Sequence, residues 1–357
     1  MRWVKRLAAW LIGLIPIWLI RLILRKLRDL ALLLGAEPKR PAPEDMSAAA
    51  RELTAFKRSP EERKRRKAAI AGERNAPRSN KWRIARWISI LLVAALFAFS
   101  YWFDMKVVVG ALTASQFMGI HLADLNASIQ LILADKHLAW NHMLGISLIF
   151  VAYLIFGGRS FCSWVCPYHL LSELAEMLHL KLAAKKLVRD HDLDRRLRPV
   201  MFAVLALIAF VCGYPLFESV SPVGILSRAL TYGLIVGLIW VALLLVVEVV
   251  WSRRMWCRYV CPVGLVYGVV GTVTPLRVLY DAEKCLHEGK CRHVCLVPHV
   301  LDMTKLGFAR DPRTPIGADC TRCSMCIEVC PTGALTFDIF AITRHDDAGE
   351  EAEDQAA

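Results

Sequence analysis

Four cysteines within eleven residues, Cys320-x2-Cys323-x2-Cys326-x3-Cys330, followed by Pro331, leave the end of this chain few structures to choose from. Three thiolates on so short a loop suit three corners of an iron–sulfur cube, and a fourth cysteine three residues on serves a neighbouring cluster. A structural zinc site wants two separated ligand pairs instead. The spacing therefore predicts a [4Fe–4S] site, continued through Thr332-Gly333-Ala334-Leu335 by a tight turn and a short helix.

A second run lies upstream. Cys285-x5-Cys291-x3-Cys295 fits the same template if its second ligand slot falls at position 288, where Glu288 stands beside His287. Leu296 replaces the usual proline, with Pro298 close by. Crossing the ligands in the two-cluster ferredoxin manner gives one set of Cys285, Cys291, Cys330 and a non-cysteine group at 288. The other set is Cys295, Cys320, Cys323 and Cys326. Two readings of the slot stand. Glu288 or a neighbouring imidazole ligates iron, a harder donor that alters the potential, or Glu288 is solvated and the cluster is [3Fe–4S]. Two clusters are expected, one [4Fe–4S] and one [4Fe–4S] or [3Fe–4S].

Twelve cysteines is a high count, and only Cys212 stands apart from the closely spaced groups, read as a packing residue. The chain is 56% hydrophobic with a mean hydropathy of +0.42, too apolar for an ordinary soluble protein. Clustered cysteines in such a chain read as metal ligation rather than a secreted disulfide framework. The net charge of +13 sits beside apolar segments, which points to anionic lipid and away from nucleic acid.

Apolar segments 87–103, 140–156, 199–216 and 230–250 each approach the length of a transmembrane helix. The 158–198 loop carries Arg159, Lys181, Lys185, Lys186, Arg189, Arg195, Arg196 and Arg198, whereas 104–139 carries only Lys106 and Lys136, and 217–229 only Arg228. The positive-inside rule then places 37–86, 158–198 and everything after 251 in the cytoplasm. Residues 1–36 hold a short uncharged run broken by Pro16 and followed by Arg21, Arg25, Lys26 and Arg28. That pattern predicts an interfacial amphipathic helix, with a further span over 7–24 as the rival. Residues 37–86 read as a basic, partly disordered cytoplasmic linker, and 344–357 as an acidic disordered tail.

The two helical hairpins end alike, in the pattern R-x-[FW]-C-x-[WY]-V-C-P at 159–167 and again at 254–262. The repeat predicts a pseudo-symmetric bundle. Cysteines four apart share a helix face, and the following proline suits a first helical position. Cys166 should cap a helix along the membrane that carries Leu171, Leu174 and Leu178. With Arg159, Arg254 and Arg258 nearby, the thiols are expected to be acidified. Cys162, Cys166, Cys257 and Cys261 then either converge as a thiolate metal or redox site, the candidate catalytic residues, or are packed thiols shaping two turns. Glu248, near the cytoplasmic end of the fourth segment, is a candidate intramembrane acid able to reach the interface. No Gly-rich nucleotide loop follows a strand pattern, so no NADH or flavin site is expected.

The fold class expected is an all-α membrane bundle over 87–280, four core helices in two pseudo-repeated hairpins, with a small C-terminal α+β two-cluster ferredoxin-like domain at 281–343. This combination resembles the membrane ferredoxin-type family of NapH and MauN over roughly residues 85–340, with the first 80 residues an extension outside it. Within that resemblance, Cys162, Cys166, Cys257 and Cys261 match the family's two CxxxCP pairs. Cys285, Cys291, Cys295, Cys320, Cys323, Cys326 and Cys330 match cluster ligands, and a cysteine is expected where Glu288 stands. The resemblance implies a quinol dehydrogenase component in a bacterial inner membrane. It would pass electrons from the quinol pool to a partner ferredoxin or a periplasmic cytochrome or oxidoreductase subunit. His121, Asp124, His137 and His142 are candidates for taking up the quinol's protons. CcoG-like copper reductases, which also carry CxxxCP pairs, are the alternative, and a non-enzymatic docking subunit is a third.

Overall fold

The computed structural model describes residues 26–73, 79–103, 108–117, 119–137 and 140–339. The bulk of the expected N-terminal helix, including 7–24, and the acidic tail lie outside these residues. The described chain is mostly helical, with two small antiparallel sheets.

Helices α1 (residues 26–33), α2 (Ala48–Arg58) and α3 (Pro60–Glu73) come first. The expected linker is thus largely helical. Ser47 caps α2, accepting from the Ala50 amide at 3.3 Å, and Leu53 packs into the C-terminal domain, so tertiary contact orders a segment whose composition suggested disorder. The described part of the N-terminal helix is likewise docked on protein. Leu33 is fully buried and its carbonyl accepts from Arg198, while Asp29 pairs with Arg277.

Four apolar helices follow: α4 (Lys81–Trp102), α6 (Trp140–Phe156), α9 (Leu197–Cys212) and α12 (Leu238–Val250). Among the described residues, α4 alone is long and apolar enough to cross a membrane. The expected third segment stops early because Gly213, at φ 64°, takes the left-handed cap that ends α9. The expected fourth is broken for the same reason. Gly233, at φ 73°, closes α11 (Pro222–Tyr232) before α12 begins.

The first connecting loop, read only as a loop, forms the meander β1 (Val108–Ala111), β2 (Ala114–Phe117) and β3 (Ile120–Ala123) and then α5 (Leu125–Asp135). Asp124 caps α5 through the Asn126 and Ala127 amides at 3.1 and 3.3 Å. The two halves interlock reciprocally. α5 of the first half packs on α9 and α13 (Val263–Val270) of the second, and α11 of the second packs on α4 and α8 (Pro167–Ala184) of the first.

The C-terminal domain is built on the antiparallel sheet β5-β4-β6, from Leu276–Asp281 (β4), Arg313–Pro315 (β5) and Leu335–Ile339 (β6). Val278, Tyr280, Leu296, Leu301, Ile316 and Leu335 form its core with the cysteine loops around them. The tight turn expected after Pro331 is present, but it feeds β6 and not a helix, because Leu335 pairs with Tyr280 across the sheet.

Candidate functional site

The two cysteine runs share one backbone. Two residues after the first cysteine of each run stands a left-handed residue, His287 at φ 56° and Arg322 at φ 52°. Its amide turns back onto the first sulfur, at 3.3 Å from Cys285 Sγ and 3.4 Å from Cys320 Sγ. Amide donors of this kind stabilise a thiolate that shares charge with a cluster. A second left-handed residue follows in each, Gly289 and Ser324. Between those two positions lie Glu288 in one run and Cys323 in the other, so Glu288 occupies the place of the second cysteine. Its carboxylate is 10% exposed and stands 3.1 Å from Lys290.

Cys285, Glu288, Cys291 and Cys330 line one cavity, of about 380 Å³ of space free of protein atoms, together with His287, Thr304 and Thr332. The four remaining thiols form their own group, with Cys295 in electrostatic reach of Cys320 and Cys323, and Cys326 of all three. The crossed grouping read from the spacing is therefore the spatial one. Among the described residues no three His, Cys, Asp or Glu side chains converge as they would on a single ion. Ligands of a polynuclear cluster stand farther apart, and a near-complete set of soft thiolates lining a cavity fits iron–sulfur chemistry. His287 donates through Nδ1 to the Thr304 carbonyl at 2.8 Å, and burial holds the ring down at about 4, so it is neutral.

The repeated motifs also converge. Cys162, Cys166, Cys257 and Cys261 line a single pocket, of about 540 Å³ of space free of protein atoms and partly open to solvent, with Arg159, His169, Arg254 and Arg258. Cys166 sits at the N-cap of α8 with Pro167 in the first turn, as the motif predicts. Leu174 and Leu178 point outward, while His169, Ser172 and Glu173 face inward. The expected acidification does not occur. Burial pushes all four thiols up, Cys261 to about 11, and outweighs Arg159 beside Cys162 and Arg254 beside Cys257. Such thiols hold their protons until a metal displaces them.

The two sites meet. Ser163, just after Cys162, donates to the carbonyl of Thr321, just after Cys320, at 2.6 Å. Arg258, just after Cys257, donates to the carbonyl of Leu296, just after Cys295, at 3.3 Å. Equivalent positions of the two motifs thus grip two ligand loops of the same cysteine group, and Leu296, Val297 and Thr321 wall the motif cavity. Asp319 locks the junction. Its carboxylate pairs with Arg159, with Arg198 at 3.0 Å and with His299 at 2.8 Å. Burial alone would raise the Asp319 carboxyl, but Arg159 and Arg198 more than offset it and hold it well below the usual range. On the wall of the motif cavity, His169 takes contacts from Arg86 at 3.4 Å and Arg254 at 3.3 Å, and Arg86 pairs with Glu173 at 2.9 Å.

The other candidates scatter. His121 and His142 stack at 5.7 Å, and His137 is exposed. Asp124 is buried beside Tyr267, in electrostatic reach of Cys162. Glu248 does not reach an interface; it is fully buried, accepting from Ser172 at 2.7 Å and the Trp256 amide at 3.1 Å. Cys212, read from the sequence as a packing residue, is exposed at the end of α9. Sequence reasoning missed Asp319, His169 and Arg86. The adjacency of Asp319 to Cys320 was the one available signal, since the partners come from segments far apart in the chain.

Residues 140–186 and 234–276 match one family described as a 4Fe–4S binding domain, and residues 317–336 match a second of the same description. The first covers both repeated motifs. The methylamine utilization ferredoxin-type protein MauN of Methylorubrum extorquens is 33% identical over 63% of this chain and 78% of its own length. The ferredoxin-type protein NapH of Escherichia coli is 31% identical over 74% of this chain and 90% of its own length. A putative electron transport protein, YccM of the same organism, is 32% identical over 54% of this chain and 55% of its own. No solved structure matches. With its thiol groups in place and relatives of this similarity aligned over most of their length, the chain belongs to the NapH/MauN family of ferredoxin-type 4Fe–4S electron-transfer proteins.

Proposed function

We propose that this protein is embedded in a bacterial cytoplasmic membrane and carries electrons from the quinol pool, through its iron–sulfur sites, to a partner oxidoreductase. The outward faces of the apolar helices support the membrane reading. Leu92, Ile155, Leu207, Val211 and Ile239 are each more than half exposed, which water would disfavour and lipid would not. The loop charges support a cytoplasmic position for the C-terminal domain.

The observation that carries the electron-transfer reading is the paired grip of Ser163 and Arg258 on the loops of Cys320 and Cys295. It supports a sequence of three thiol groups: the motif quartet in the bundle, then Cys295, Cys320, Cys323 and Cys326, then Cys285, Cys291 and Cys330 with Glu288 at the fourth place. Bound clusters supply one-electron transfer. The chain's own residues hold the thiols in that order. The quartet is in this reading a third thiolate site, and the partner docks at the outermost group.

The test is quinol-driven reduction of the cysteine-rich domain in membranes carrying Cys162→Ser, Cys166→Ser, Cys257→Ser or Cys261→Ser, normalised to protein and iron. Each single substitution should abolish it, because removing one ligand disrupts a shared site. Wild-type rates in all four would reduce the quartet to scaffolding and sink the reading.

A further inference from the structure

Lys57 is a charged residue buried to 4% exposure, and it comes from α2, outside the ranges that the two 4Fe–4S families match. Its ammonium reaches three backbone carbonyls of the loop entering the upstream cysteine run: Ala282 at 2.5 Å, Glu283 at 2.9 Å and Cys285 itself at 2.7 Å. An ammonium has three donors and no acceptor, so three converging carbonyls satisfy it completely. The helix that brings it is anchored at both ends. The Ser47 amide and hydroxyl donate to the Arg310 carbonyl at 2.9 and 3.2 Å, and Arg66 of α3 donates to the Lys57 carbonyl at 2.7 Å.

We propose that Lys57 is a positioning residue that clamps the Cys285 loop and sets the reduction potential of the centre held by Cys285, Cys291 and Cys330. The proposal rests on the assignment of those thiols as cluster ligands. Two effects act together. Turning three carbonyl dipoles onto the ammonium leaves the loop's amide free for the thiolate, as the His287 amide on Cys285 Sγ shows. The positive charge, held in a poorly solvated place, favours the more negative reduced state. The downstream run is held differently: among the described residues, the cation on the Cys320 carbonyl is Arg322 of the loop itself, which also donates to the Leu276 carbonyl. Lys57 therefore acts on one centre and not the other, and the N-terminal segment becomes a part of the electron-transfer unit.

The experiment is a redox titration of the full-length protein, followed by electron paramagnetic resonance, with the downstream centre as internal reference. Lys57→Gln keeps hydrogen-bond donors and removes the charge. It should lower the midpoint of the upstream centre and leave the downstream midpoint and the iron content unmoved. Lys57→Arg should restore the midpoint, and Lys57→Met should lower it and also release iron from the upstream centre. An unchanged midpoint in Lys57→Gln at full iron content overturns the proposal, as does an equal fall in both centres. Wild-type protein without iron would instead refute the ligand assignment itself.

Discussion

The two cysteine runs differ at one ligand and agree almost everywhere else. Residues 285–295 and 320–330 share the pair of left-handed positions, the amide turned onto the first sulfur and the short helix that carries the third cysteine. Only the second slot departs, with Glu288 in the place of Cys323. Their surroundings differ more than their backbones. The group containing Cys323 and Cys326 is buried against the bundle, with Asp319, Arg159 and Arg198 beneath it. The other lies at the outer end, with Cys330 partly exposed and Lys57 behind Cys285. A loop geometry built for a ligand thus persists where the thiol does not, and position in the molecule separates the roles of two otherwise similar sites.

The largest effect should come from removing each centre in turn. Cys326→Ser is expected to cost about half of the bound iron and all quinol-driven reduction of what remains, since the group nearest the bundle is the entry point. Cys291→Ser should lose a similar amount of iron yet leave the inner centre reducible. Iron analysis with reduction kinetics decides it, and the opposite pattern would reverse the order proposed for the two sites.

A smaller change tests the single difference between the runs. With the slot unliganded, anaerobically purified protein should hold about seven irons in its C-terminal domain, with the signal of an oxidised three-iron centre. Glu288→Cys should raise the count to about eight and abolish that signal, because residue 288 is flanked by the same pair of left-handed residues as Cys323. Wild-type protein with about eight irons there and no such signal would mean that Glu288 already ligates.

Spacing made the candidate ligand sets legible, because cluster ligation would constrain neighbours in sequence. It also made the crossed grouping of Cys330 and Cys295 legible, because a three-residue step past the last loop ligand reaches the adjacent centre. The repeated motif foretold the convergence of four thiols far apart in the chain. Their ionisation was not legible, because it depends on how much water the bundle excludes, and burial overcame the arginines that the motif displayed. The helices at 48–58 and 60–73 were hidden for a related reason. Their charged surface is real, but Leu53 and Lys57 find partners on a domain more than 200 residues away. The ends of the third and fourth apolar segments turned on Gly213 and Gly233, whose left-handed conformations hydropathy does not register.

The smallest effect concerns the junction that the two motifs make with the inner run. Ser163→Ala removes one neutral hydrogen bond, worth about 0.5–1.5 kcal/mol, and leaves the Thr321 carbonyl buried at the interface. Arg258→Ala removes a charge-assisted bond to the Leu296 carbonyl, longer at 3.3 Å but worth up to about 3 kcal/mol. Neither side chain is a ligand, so both variants should keep full iron. Each should slow reduction of the inner centre in membranes, the arginine variant more than the serine variant, because each loosens one of two loops that seat the cysteine group on the bundle. The double variant should slow it more than the sum of the singles, since one grip left intact still fixes the domain. A titration of the inner centre in the full-length variants with a soluble reductant should show no change in any of them. Slowing by both reductants would mean that the hydrogen bonds shape the centre itself, and unaltered rates with quinol would mean that the domain is seated by the Asp319 ion pairs alone.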